Sequence, residues 1–135
     1  MSGALLKLRA HASELTELTG IDVEIVEEPP TRIFVVLKKV TLPVGAFRLV
    51  HSDVLFVADY QYPTSALDMF WTELDVVRPD GSIPASADQI EQYVGRSWRR
   101  FSWHRNGIWD PRRNGLLDHY ELTLDRLCRE GRAAA

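Results

Sequence analysis

The chain has 135 residues, of which 45% are hydrophobic and 26% charged, with a formal net charge of −3. That length suits a single domain spanning 1–135 with its own core, and the acidic balance excludes a global attraction to nucleic acid or membrane surfaces. No apolar run approaches the roughly 20 residues of a bilayer span, no signal-peptide pattern is present, and the lone Cys128 cannot close an internal disulfide, so the expected location is the cytoplasm.

The first predicted element is an amphipathic helix. Leu5, Leu8, Ala12, Leu15 and Leu18 recur at three- and four-residue spacing, and Gly20 supplies the stop. Alternation over Ile21–Val26 predicts a half-buried strand that ends at Pro29-Pro30, and the β-rich run Arg32–Val40 predicts a second. Two more strands are expected at Ala46–Val50 and Val54–Tyr60, joined by a turn at His51-Ser52-Asp53. The result is a helix followed by an antiparallel meander, an α+β arrangement.

Beyond Tyr62-Pro63, Asp68–Thr72 reads as one more short strand, and Arg78–Tyr93 as a turn-rich surface loop with room for one helical turn. Gly95–Asn106 is dense in arginine and tryptophan and shows no clean period. A second amphipathic helix is expected from Asp110-Pro111 or Asn114, with Asp110 as cap and Leu116, Leu117, Tyr120, Leu124, Leu127 and Cys128 on its apolar face. The tail from Gly131 to Ala135 should fray. The expected core includes Leu8, Leu15, Phe34, Val36, Phe56, Phe70, Leu117, Leu124 and Leu127.

A lone cysteine invites the nucleophile reading, but Cys128 falls at the C-terminal end of the last helix. Thiolates are favoured at helix N-termini and beside cations, so Cys128 is expected to be a packing residue. His11, His51, His104 and His119 show no paired ligand spacing, and the glycines form no phosphate loop. The expectation is therefore no metal and no cofactor.

The stretch from Gly95 to Asn106 is the most unusual. Ser102 and His104 stand two residues apart and would project to one side of an extended segment, close enough for an imidazole to assist a hydroxyl nucleophile. Beside that reading stands a plain one, in which the aromatic residues pack and the arginines are solvated or paired. Arg96, Arg99, Arg100, Arg105, Arg112 and Arg113, interleaved with aromatics, also suit a single-stranded nucleic acid or an acidic protein partner. The acidic net charge argues against the nucleic acid.

The order of elements and three motifs together resemble the ubiquitin-conjugating enzyme (UBC) fold. The strand Val54–Tyr60 runs into Gln61-Tyr62-Pro63, and Trp109-Asp110-Pro111 opens the last helix. Tyr62-Pro63 followed by Asp68-Met69-Phe70, with the stretch Gly95–His104, is similar to the prokaryotic branch of these proteins called family E. The resemblance implies an N-terminal helix, a four-stranded antiparallel meander and a C-terminal helix. It also implies a role in a bacterial ubiquitin-like conjugation pathway. Its partners there would be a ubiquitin-like protein and an activating enzyme, with an isopeptidase in the same pathway; some such systems are linked to antiphage defence. The first helix would be the docking surface for the activating enzyme.

Two departures sharpen the expectation. The family's His-Pro-Asn triplet is missing, with Arg78-Pro79-Asp80 the nearest echo. No cysteine stands about eight residues before Trp109, where the reactive one is usual in the wider fold; that position is Phe101, and Ser102 is adjacent. The resemblance thus points to Ser102 as attachment point through an oxyester and His104 as base. Asp68, Arg99, Arg100, Trp103 and Trp109 would be supporting or partner-facing residues. The rival is a catalytically inactive protein that keeps the fold and binds partners.

Overall fold

Helix α1 spans Gly3–Thr19. Ser2 caps it by accepting the Leu5 N–H at 3.0 Å, and Gly20, in the left-handed region at φ 76°, ends it by donating to the Thr16 carbonyl. The predicted stripe of Leu5, Leu8, Ala12 and Leu15 is buried, whereas Leu18, in the last turn, is 65% exposed. The computed structural model describes residues 2–105 and 107–133. Met1, Asn106 and the tail end Ala134-Ala135 lie outside the described residues.

The strands are β1 (Val23–Glu28), β2 (Arg32–Thr41), β3 (His51–Ala58), β4 (Phe70–Thr72), β5 (Gln89–Tyr93) and β6 (Arg96–Phe101), followed by helix α2 (Leu116–Ala133). They form one antiparallel sheet in the order β1-β2-β3-β4-β6-β5. The α+β class, the two terminal helices and the antiparallel meander are as expected, but the sheet has six strands, not four.

Four local expectations are corrected. Ala46–Val50 is a loop, turned by Pro43 and by Gly45 at φ 74°; its Ala46 and Phe47 are apolar because they are buried. His51-Ser52-Asp53, expected as a turn, opens β3 instead, pairing His51 with Thr41 and Ser52 with Val40. The loop expected up to Tyr93 ends in β5, and the arginine-rich stretch supplies β6. Asp110 caps only an isolated turn, accepting from Arg113 and Asn114 through its carbonyl, and α2 starts later, at Leu116.

Helix α2 also continues through Gly131, where fraying was expected. A Cβ at Gly131 would stand 2.6 Å from the Cβ of Ala46, so the missing side chain lets the helix lie against the 43–47 loop. Buried Glu130 pairs with Arg78 and accepts the Ala85 N–H, fastening the 78–85 loop to the same end of α2. Of the expected core residues, Leu117 and Leu124 are only half-buried; the others are buried.

The sheet carries two apolar clusters. The larger lies between the sheet and the two helices and includes Leu8, Leu15, Val35, Phe56, Phe70, Phe101 and Leu127. The smaller lies on the opposite face, where Phe34, Val36, Leu55, Trp71 and Trp98 are buried. It is closed by the tip of the β5–β6 hairpin. Tyr93 stands 5.3 Å from the Phe34 ring on β2, although β3, β4 and β6 separate those two strands in sheet order. A twisted sheet that curls on itself makes that contact possible. Arg32 lies 5.1 Å from the Tyr93 ring and Arg96 lies 4.2 Å from the Trp98 ring.

Arg96 also pairs with Asp53 at 2.9 Å, clasping the hairpin tip to β3. Burial works to raise the Asp53 carboxyl, but the Lys39 N–H and Arg96 outweigh it and hold the group below its ordinary value. Trp98 has no exposed surface and donates its indole N–H to the Tyr93 carbonyl at 3.0 Å. Trp98→Ala should therefore cost about 3–5 kcal/mol in urea unfolding. Ile90→Ala on the exposed edge strand should change stability by less than about 0.5 kcal/mol.

Candidate functional site

The segment after β3 and the segment after β6 meet above the N-terminal half of α2. Tyr62 is buried beside the cis Tyr62-Pro63 bond, and its hydroxyl lies 2.6 Å from Nδ1 of His11 on α1. Burial raises the Tyr62 phenol far above its ordinary value and lowers the His11 imidazole below its own. Gly115 makes room for this pair, since a Cβ there would lie 2.6 Å from His11 Nδ1 and 3.0 Å from the Tyr62 hydroxyl. Trp109 donates its indole N–H to the Pro63 carbonyl at 2.6 Å. The Tyr-Pro and Trp-x-Pro motifs are thus bonded to each other.

Arg105 stands at the centre. Its guanidinium donates to Asp118 at 2.8 Å and to Nδ1 of His119 at 3.2 Å, and lies 4.6 Å from the Trp109 ring. Its backbone N–H donates to Asp68 at 3.2 Å. His119, 1% exposed, donates from Nε2 to the Met69 carbonyl at 2.7 Å. An arginine can only donate, so Nδ1 of His119 accepts and the ring is neutral. Burial, reinforced by the Arg105 charge, lowers its pKa from 6.5 to about 4, against the pull of the Met69 carbonyl and the nearby carboxylates.

The other oxygen of Asp68 meets Nδ1 of His104 at 2.6 Å. A carboxylate only accepts, so Nδ1 carries the proton, and Nε2 of a side chain that is 71% exposed faces outward. The pair lines a depression of about 260 Å³ together with Ala66, Leu67, Arg105, Gly107 and Trp109. A carboxylate that orients an imidazole, beside a small recess, is suited to moving a proton.

Of the residues singled out from sequence, Asp68, His104 and Trp109 come together here. Ser102 is next to them in the chain but differently bonded. Its Oγ accepts from Nε of Arg100 at 2.9 Å and its N–H donates to the Ser86 carbonyl at 3.0 Å. Among the described residues no hydrogen bond joins it to His104. Arg100 is itself held by Glu91 at 3.2 Å. Arg99 is buried and spends its guanidinium on the Leu74 and Ala87 carbonyls, pinning the loop before β5; burial lowers its pKa. Trp103 packs inward, under the Arg126 guanidinium at 4.7 Å. Cys128 is half-buried near the end of α2.

Sequence reasoning missed the site roles of Arg105, Asp118, His119 and Glu91, having named Arg105 only among the arginines suited to an outside partner. His119 alone had a signal, lying three residues after Leu116 on the buried face of α2. The other three are charged residues whose roles arise only where distant segments meet. Among the described residues no group of three His, Cys, Asp or Glu could hold a metal, and no helix is long and apolar enough to cross a membrane.

The model of prokaryotic E2 family E matches residues 9–130, which take in most of α1, the whole sheet and every residue of this site. The chain belongs to that family. It is a UBC-like protein, and the family's association is with bacterial ubiquitin-like conjugation, whose general partners are a ubiquitin-like protein and its activating enzyme. No curated protein and no solved structure gives a significant match. In this family E chain Ser102 directly follows the end of β6, with its hydroxyl bonded to Arg100, and His104 of the Asp68–His104 pair lies two residues further along the chain.

His119 yields a pH signature. The unfolded chain protonates this imidazole near 6.5 and the folded one only near 4. Between those values the unfolded state holds more protons, so this contribution is complete above about pH 6.5 and is lost as the pH falls to 4. Its size is roughly 3 kcal/mol. Urea midpoints taken from pH 7 to pH 4 should fall accordingly, with a shallower slope in His119→Gln.

Proposed function

We propose that this family E protein accepts the C-terminal carboxyl of a ubiquitin-like protein on Ser102, as an oxyester, and passes it to an acceptor. In this reading His104 moves the proton and Asp68 orients the imidazole. The observation that carries the reading is the Asp68–His104 pair at 2.6 Å, lining a recess two residues beyond Ser102. A serine hydroxyl is a weak nucleophile without such a group nearby, and a cysteine in that place would need it less. Family membership supports a ubiquitin-like protein as the substrate class and an activating enzyme as the donor.

A second reading, partner binding with no covalent bond, is favoured by one observation: the Ser102 hydroxyl is engaged by Arg100 and not by His104. The nucleic-acid reading loses support, since Arg96, Arg99, Arg100 and Arg105 are all spent on internal contacts.

Incubation with the cognate activating enzyme, ATP and the ubiquitin-like protein separates these. The transfer reading expects an adduct that resists reductant, is cleaved by alkali, disappears in Ser102→Ala and persists in Cys128→Ala. His104→Ala should slow its formation or discharge by about 100-fold or more. Absence of any adduct, with tight binding of the partner retained, decides for the binding protein. Salt-sensitive capture of single-stranded oligonucleotides would revive the third reading.

A further inference from the structure

We propose that Arg100, held by Glu91 and Trp71, is the positioning residue that makes the Ser102 hydroxyl reactive. This rests on the oxyester reading above and adds the group that would receive the developing charge. Trp71, buried in the outer cluster, donates its indole N–H to one Glu91 oxygen at 2.7 Å. The other Glu91 oxygen takes Nη1 of Arg100 at 3.2 Å, and Nε of Arg100 donates to Ser102 Oγ at 2.9 Å. The chain of bonds runs from a fully packed indole to a half-buried hydroxyl, and each link fixes the orientation of the next.

Three features make this more than a structural ion pair. Arg100 pairs with Trp71 across the β4–β6 ladder, so backbone register already sets its place and Glu91 already satisfies its charge. Aiming Nε at a half-exposed hydroxyl adds little to stability, because folding exchanges bonds to water for this one. It does leave the hydroxyl as acceptor, so its own proton points elsewhere and is free to depart. The Ser102 N–H bond to Ser86 then stops the residue from turning away.

The chemistry follows. The donor is the ubiquitin-like C-terminal carboxyl held as a thioester on a cysteine of the activating enzyme. Ser102 Oγ attacks the carbonyl carbon, the Oγ–C bond forms as the C–S bond breaks, and sulfur leaves as a thiolate. The hydroxyl proton is taken by His104 and passed to that thiolate, which departs as a thiol and leaves the imidazole neutral. As the proton leaves, negative charge grows on Oγ, and the Arg100 Nε–H bond strengthens from a cation–hydroxyl contact to a cation–alkoxide one. An interaction that strengthens toward the transition state accelerates the step.

The test measures single-turnover adduct formation from preloaded activating enzyme across pH 6 to 9. Arg100→Gln should slow it by about 10- to 100-fold and steepen its rise with pH, with Arg100→Lys recovering part of the rate. Glu91→Gln should fall between. A thiol ionises more readily than a hydroxyl, so in a Ser102→Cys background the Arg100→Gln loss should shrink to about 3-fold or less. A loss of equal size in both backgrounds marks a role in folding alone and overturns the proposal, as does a wild-type rate in Arg100→Gln. If wild-type protein forms no adduct, the oxyester reading itself fails and this inference goes with it; normal adduct with an indifferent Arg100 sinks only the inference.

Discussion

The site is assembled around one side chain, Arg105. Its guanidinium reaches Asp118 and His119 on α2, lies over Trp109, and its backbone N–H holds Asp68. Among the described residues that cation makes the one salt bridge between the segment after β6 and the helix, and the backbone beside it helps place Asp68 against His104. Burying a charge is costly unless it is paired, and Arg105 is 13% exposed. Asp118 supplies the counter-charge and neutral His119 the acceptor, so the cost is offset by groups that themselves need a donor. Each member of the cluster explains why another is tolerated.

The sheet divides its labour. One face packs on α1 and α2 and makes the larger core. The other would expose Phe34, Leu55, Trp71 and Trp98 to water were it not for the β5–β6 hairpin tip, which folds across it and is clasped by Arg96 to Asp53. This second cluster is joined to the site by Trp71, which bonds Glu91, which in turn bonds Arg100. The two extra strands are therefore more than an enlargement of a four-stranded meander: they bring the segment with Ser102 to the edge of a rigid apolar block. Side chains placed by such a block keep their geometry better than side chains on loops.

The dense arginines acquire a plain physical meaning in this setting. Arg96, Arg99, Arg100 and Arg105 each satisfy a different partner inside the molecule, and Arg32 lies 5.3 Å from the Phe34 ring and 5.1 Å from the Tyr93 ring. Of the six arginines between positions 96 and 113, Arg112 and Arg113, near Asp110, are the two that stand well out into solvent. Planar guanidinium groups with several fixed donors suit this work, since they can bond carbonyls and carboxylates edge-on and cover aromatic rings face-on.

By itself the sequence settled what local physics controls. The leucine spacing of α1 with its Gly20 stop, the alternation of β1 and the apolar run of β2 were legible because they depend on periodicity and on glycine and proline chemistry. The family was legible from Tyr62-Pro63, Trp109-Asp110-Pro111 and the Gly95–His104 stretch. Three things were decided only by tertiary structure. Strand β5 is a polar edge strand, Gln89-Ile90-Glu91-Gln92-Tyr93, and its hairpin turn places Val94, a β-branched residue, at φ 47° before Gly95, against local preference. Ala46–Val50 looked like a strand in part because burial, not pairing, selected Ala46 and Phe47. Finally, Ser102 and His104 stand two apart, yet one is bonded to Arg100 and the other to Asp68, 36 residues away in the chain. Spacing says which side chains share a face only while the strand continues, and β6 ends at Phe101, one residue before the question arises.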